Sequence, residues 1–170
     1  MKEFDEYDQV VARYHQSIVN EVLPLSSWEF YGEYISFLNT CKYDIDRLSK
    51  LTATWDFDHN VQNQLIKQKS VIVVTNPNLK IIYATQNIKK MNGYTPEEVV
   101  GNSPKMFQGK DTCLETSNAI RKAVDMQTPF EYSILNYKKD KSTYICAIKG
   151  FPVYNKRGKL VNYIAFEKAA

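Results

Sequence analysis

The hydrophobic period of this chain changes once, near residue 70, and that change limits the folds open to it. From Phe4 to Val22 apolar side chains stand at Phe4, Tyr7, Val10, Val11, Tyr14, Ile18 and Val22, the three-and-four spacing that lines one face of a helix. Acidic Glu3, Asp5, Glu6 and Asp8 crowd its first turns, where the helix dipole favours negative charge, and Pro24 ends it. Ser26 and Glu29 form an S-x-x-E capping box that predicts a second helix with Trp28, Tyr31, Ile35 and Leu38 on one face. A third, short helix is predicted from Asp44, carrying Ile45, Leu48 and Leu51. The aromatic stripes read as packing surface rather than as a cofactor box.

Downstream the pattern is that of strands. Val71–Thr75 and Lys80–Ala84 predict a hairpin closed by Asn76-Pro77-Asn78, residues that favour turn backbone angles. Short helices follow, one of them opened by Thr95-Pro96-Glu97-Glu98 with a Thr cap and a Pro in its first turn and closed by Gly101. A longer helix is predicted from about Thr112 to Met126, stopped before Pro129, followed by strands over Phe130–Tyr137, Thr143–Tyr154 and Leu160–Lys168. The order β-β-α-α-α-β-β-β predicts an α+β fold over 70–170, preceded by a helical extension over 1–69.

Charge and composition narrow the functional classes. Residues 1–69 carry net −4 and residues 70–170 net +7. The lysines of the basic half are scattered through turns, with no basic helical stripe, so nucleic acid is not an expected partner. Three cysteines without a CxxC pair fit reduced thiols in a cytoplasmic protein. The first residues lack an export leader, and apolar runs such as Val71 to Val74 are far below the roughly 20 residues a membrane span needs. His15 and His59 are isolated, so no metal site is expected, and no phosphate loop or nucleophile elbow supports an enzyme.

The run Asn92-Gly93-Tyr94-Thr95-Pro96-Glu97-Glu98-Val99-Val100-Gly101 resembles the signature of the PAS domain family, over the stretch Val71 to Ala169. Phe107-Gln108-Gly109 and Leu135-Asn136-Tyr137 resemble motifs of its flavin-binding LOV subgroup. The resemblance implies a five-stranded antiparallel sheet with short helices on one face, a small ligand cavity between them, and a sensory role. It also implies site positions. Gln108 matches a flavin-contacting glutamine, Asn136 a ring-binding asparagine and Arg121 a phosphate-binding arginine. Lys105 stands where the motif has its other phosphate-binding arginine, losing the two-pronged guanidinium. Pro104 stands at the adduct-forming cysteine, which excludes a light-driven thiol adduct there. Cys146 replaces a second ring-binding asparagine, and Glu167 replaces the strand glutamine. A thiol bonds weakly and an ionised carboxylate cannot donate, so FMN, another small ligand and a ligandless core all stay open as readings.

Period-two alternation places Tyr132, Ile134 and Asn136 on one sheet face with Tyr144, Cys146, Ile148, Tyr163, Ala165 and Glu167. If that face lines the cavity, Glu167 needs a partner or a proton, and Lys105 and Arg121 are the candidates; the other placement is an exposed sheet edge. The opposite face carries Leu135, Tyr137, Ile145, Ala147, Ile164 and Phe166, an apolar surface expected to be covered by the N-terminal helices or by a second subunit. Output is then expected through a signalling partner or a homodimer.

Overall fold

A computed structural model describes residues 25–170; the helix expected over Phe4–Val22 lies outside the described residues. Residues 37–170 form one compact unit. Helix α1 spans Leu25–Thr52 without interruption. The sequence predicts two helices here, but one forms. From Phe37 onward its inward face is Phe37, Cys41, Ile45, Leu48 and Leu51, all packed in one core, so burial of this stripe carries the helix through the weak helix formers Asn39 and Thr40. Asp44 is therefore not a cap. It sits mid-helix, 1% exposed.

Two elements had no sequence signal: β1 (Trp55–Asp56) and α2 (Val61–Ile66), the latter capped by Asn60, whose side chain accepts from the Asn63 amide. Then come β2 (Val71–Thr75), β3 (Ile81–Ala84), α3 (Ile88–Asn92), α4 (Pro96–Val99), a 3-10 turn (Pro104–Phe107), α5 (Leu114–Asp125), β4 (Phe130–Tyr137), β5 (Thr143–Asn155) and β6 (Leu160–Ala169). Local chemistry accounts for several of these. Asn76 Oδ1 accepts from the amides of Asn78 and Lys80 and closes the β2–β3 turn. At α4 the Thr95 and Glu98 side chains cap reciprocally with Pro96 in the first turn, as the sequence predicts. Gly93 ends α3 at φ +82°, a backbone angle that favours glycine.

The five long strands form an antiparallel sheet in the order β3-β2-β6-β5-β4, and β1 pairs with the far end of β5 beyond β4. Each face of this sheet has its own core. On the outer face Ile72, Val74, Val153, Ile164 and Phe166 meet Cys41, Leu48, Trp55 and Leu65 of the helical cap. On the other, Val71, Val73, Ile81 and Ala84 pack against Ile88, Val99 and Phe107 from the short helices and the 3-10 turn. The cap is fastened by Asp44: Tyr83 of β3 donates its hydroxyl to Oδ1 at 2.6 Å, and the Gln86 amide donates to Oδ2 at 3.0 Å. Burial raises the Asp44 carboxyl above its ordinary range, opposed by these two hydrogen bonds.

Only part of the outer face is covered as expected. Ile164 and Phe166 are buried, whereas Ile145 is 42% exposed and Leu135 and Ala147 are half-buried on the β4–β5 side. Tyr137 does not contribute to this surface. As the last residue of edge strand β4 it reaches the loop before α5, where its hydroxyl donates to Asp111 Oδ2 at 2.5 Å and its ring lies against Gly109. A side chain at Gly109 would collide with that ring, its Cβ falling 2.5 Å from the nearest ring carbon.

Candidate functional site

Strand pairing fixes which side chains face the short helices. Asn136 of β4 lies opposite Tyr144, Ile134 opposite Cys146, and Ile148 opposite Glu167, so these residues share one face, as the alternation predicts. Asn136 (3% exposed), Cys146 (0%) and Glu167 (5%) are all buried, which rules out the exposed-edge placement of Glu167. The Cys146 thiol donates to Glu167 Oε2 at 3.8 Å, a weak bond for a buried acid. Burial lifts the Glu167 carboxyl to about 7, and the thiol bond offsets little of that. Burial, followed by the nearby Glu167 charge, pushes the Cys146 thiol far above its ordinary range.

A second pair extends this polar line. The Tyr144 hydroxyl lies beside the Asn136 and Asn92 amides, close enough for them to oppose the rise that burial gives its pKa but outside good hydrogen-bond geometry with either. Asn92 closes α3, and its Oδ1 accepts from the Tyr94 amide, while Nδ2 has no partner. Among the described residues three buried side-chain polar atoms lack a partner, Asn92 Nδ2, the Tyr144 hydroxyl and the Thr75 hydroxyl. Two of the three therefore meet at this wall. Buried polar atoms are almost always satisfied, and each exception costs about 1–3 kcal/mol. Asn92 has no precedent in the sequence reading beyond its turn motif. A polar residue closing a helix against a sheet with one polar tyrosine opposite is the signal that would have found it.

The remaining expected positions form a separate group. Gln108 ends the 3-10 turn and accepts, through Oε1, a hydrogen bond from Ser117 of α5 at 3.0 Å. Arg121, one turn further along α5, pairs its Nε with both Asp125 carboxylate oxygens at 3.0 and 3.1 Å in an exposed setting. Lys105 is exposed on the turn. The expectation that Lys105 or Arg121 neutralises Glu167 is thus not met: Arg121 is held by Asp125, and the Glu167 hydrogen bond comes from Cys146. The geometry brings Asn136, Cys146 and Glu167 together, and Gln108 and Arg121 along one side of α5.

An open cleft of about 230 Å³ lies elsewhere, between α1, β1 and α2, walled by Leu48, Trp55, Phe57, His59 and Val61. None of the three unpartnered atoms lines it. Among the described residues no three His, Cys, Asp or Glu side chains group to hold a metal, and no helix is long and apolar enough to cross a membrane.

An antiparallel sheet in this order, with short helices over one face, defines an α+β fold class, and comparison with known proteins assigns its family. The chain belongs to the PAS domain family, whose model matches residues 68–168. It is 34% identical over 93 residues to phototropin-2 of Oryza sativa subsp. japonica and 35% over 88 residues to Protein TWIN LOV 1 of Arabidopsis thaliana. It is 30% identical over 97 residues to a blue-light-activated histidine kinase of Brucella canis. These matches cover 55%, 51% and 55% of this chain but 10%, 22% and 20% of the relatives. The structure described as "Flavin Analogue Sheds Light on Light-Oxygen-Voltage Domain Mechanism" superposes with a TM-score of 0.61 at 25% identity, over 66% of this chain and 86% of that one. The dark structure of the Aureochrome1 LOV photoreceptor has the same TM-score at 23% identity, over 68% and 86%, and shares the fold. The chain thus carries a LOV-like PAS domain, and the homologues support a sensory signalling module.

Proposed function

We propose that this PAS module senses a small ligand other than a flavin, held against the Asn92, Asn136, Tyr144, Cys146 and Glu167 wall. The observation that carries the reading is the pair of unpartnered buried polar atoms, Asn92 Nδ2 and the Tyr144 hydroxyl, beside a buried acid. A ligandless core would gain by replacing them with apolar groups, so their presence favours a molecule that completes their hydrogen bonds.

The donor set does not fit FMN. The ring edge would meet a thiol and a carboxyl at Cys146 and Glu167 in place of two amides, and a half-ionised carboxyl repels ring acceptors. At the phosphate end, Lys105 replaces a two-pronged guanidinium, and the Gln108 carbonyl accepts from Ser117. Pro104 stands at the adduct position.

Signal relay follows from strand chemistry. Glu167 faces the ligand wall, and its neighbour Phe166 faces the cap core with Trp55. A ligand that repositions Glu167 therefore shifts Phe166 through one peptide unit. The state would pass to the cap helices and from them to a signalling partner or a second copy.

The test is denaturation of purified protein followed by mass spectrometry of the released small molecules, with an absorbance spectrum of the intact protein. A colourless protein releasing a stoichiometric ligand is the expected result. A structured band near 450 nm would establish the flavoprotein instead, and absence of any ligand together with no stabilisation by added metabolites would favour a pure interaction module.

A further inference from the structure

The polar wall is asymmetric in charge, and the asymmetry specifies what it can receive. Glu167 is 5% exposed. Its partners across the sheet, Val71 of β2 and Ile148 of β5, are apolar. The titratable groups that face it are Cys146 and Tyr144, both of β5, and neither is a cation. Lys168, next in the chain, points to the opposite face and donates to Gln68 at 3.0 Å. Arg121 is paired with Asp125. The acid is therefore buried without a counter-charge, an arrangement that costs stability unless something cationic or a proton completes it. At the other end of the wall the unmet groups are of opposite demand. Asn92 Nδ2 offers two N–H donors that require an acceptor, and the Tyr144 hydroxyl beside it can donate to the same acceptor.

Resting on the reading that this wall is a ligand site, we propose that its ligand is a small organic cation. It carries a primary ammonium against Glu167 and a hydroxyl or carbonyl oxygen against Asn92 and Tyr144. An anionic ligand would satisfy the donors but repel Glu167. A neutral alcohol would satisfy both ends without pairing the charge. An amino alcohol or amino carbonyl compound does all three. Because the Glu167 carboxyl rests near 7, a cation would ionise it on binding and send the proton to solvent. At pH 7 that is about half a proton for each ligand bound.

Calorimetric titration of the full chain tests this with two matched sets of probes: ethanolamine, ethylene glycol and glycolate, and benzylamine, benzyl alcohol and benzoate. Titrations at pH 7 in two buffers of different ionisation enthalpy count the protons released. In at least one set the amine is expected to bind tenfold or more tighter than its alcohol and carboxylate, releasing about half a proton. Glu167→Gln should abolish both the preference and the release. Tyr144→Phe should weaken ethanolamine several-fold while leaving proton release in place. Equal or tighter binding of an alcohol or carboxylate, or an amine preference that survives Glu167→Gln, overturns the cation assignment and leaves the ligand site standing. If no probe binds, the molecule released from the purified protein decides. An amine upholds the assignment, and an acid or neutral compound overturns it alone. No molecule at all overturns the ligand site with it.

Discussion

The two faces of one sheet are built to opposite rules. On the cap side the strand core of Ile72, Val74, Val153, Ile164 and Phe166 is apolar, and the buried carboxylate Asp44 has two hydrogen-bond donors within 3.0 Å. On the helix side the sheet presents an acid with a thiol for company and the Tyr144 hydroxyl, which, like Nδ2 of Asn92 on α3 beside it, has no partner. The cap side is optimised for folding. The other side forgoes stability, and groups that weaken a fold are retained where they act on something else. The contrast shows that buried polarity by itself does not mark a site. Asp44 and Glu167 are both buried acids, and what separates them is whether the chain supplies their partners.

Substitutions can break this contrast, and the largest effect belongs to the cap side. Phe166→Ala should cost about 4 kcal/mol in urea unfolding, the range for a buried phenylalanine, and should loosen the Trp55 environment seen by fluorescence in a Trp28→Phe background. A cost under 1 kcal/mol would mean that the cap is not seated there. Next is Glu167, the buried acid of the short-helix side. Its folded-state pKa of about 7 lies above its ordinary 4.5, so the folded chain holds the proton more tightly than the unfolded one. Its stabilising contribution is complete below about pH 4.5 and is lost as pH rises through 7, a change of about 3 kcal/mol. Glu167→Gln should flatten that slope and leave the variant more stable than wild type at pH 8, measured by thermal unfolding across pH. An unchanged slope would place the titration elsewhere.

Asp44→Ala should cost about 2 kcal/mol, because the Tyr83 hydroxyl and the Gln86 amide are left unpaired. Asp44→Asn should recover part of this. On the short-helix side the sign reverses. Tyr144→Phe removes a hydroxyl that has no partner and should stabilise ligand-free protein by about 1 kcal/mol. Destabilisation by the same amount would show that the hydroxyl is satisfied within the chain.

The long strands and their facing were legible because alternation and turn residues are local signals. Asn76, the Thr95–Glu98 box and the β4–β5–β6 register all arise from neighbours in sequence or from strict period two. The single helix α1 was not, because Asn39 and Thr40 weaken the local pattern and only burial of Cys41 and Leu48 against the sheet overrides it. Strand β1 has two residues, too few for any period. The bond from Tyr83 to Asp44 joins residues 39 apart, which no local reading detects. At the site, motif resemblance located Asn136, Cys146 and Glu167. It missed Asn92 because its Oδ1 role in the Asn92-Gly93-Tyr94 turn explains the residue fully until its second nitrogen is seen unpaired.

The Gln86 amide has a further use. It bonds to Asp44 of the cap, and two residues later the chain enters α3, the helix that ends at Asn92. One proton therefore sits on the boundary between the two halves of the sensor. Its resonance and its exchange with deuterium offer a native, label-free gauge of whether the cap is docked, readable in the same sample with and without ligand.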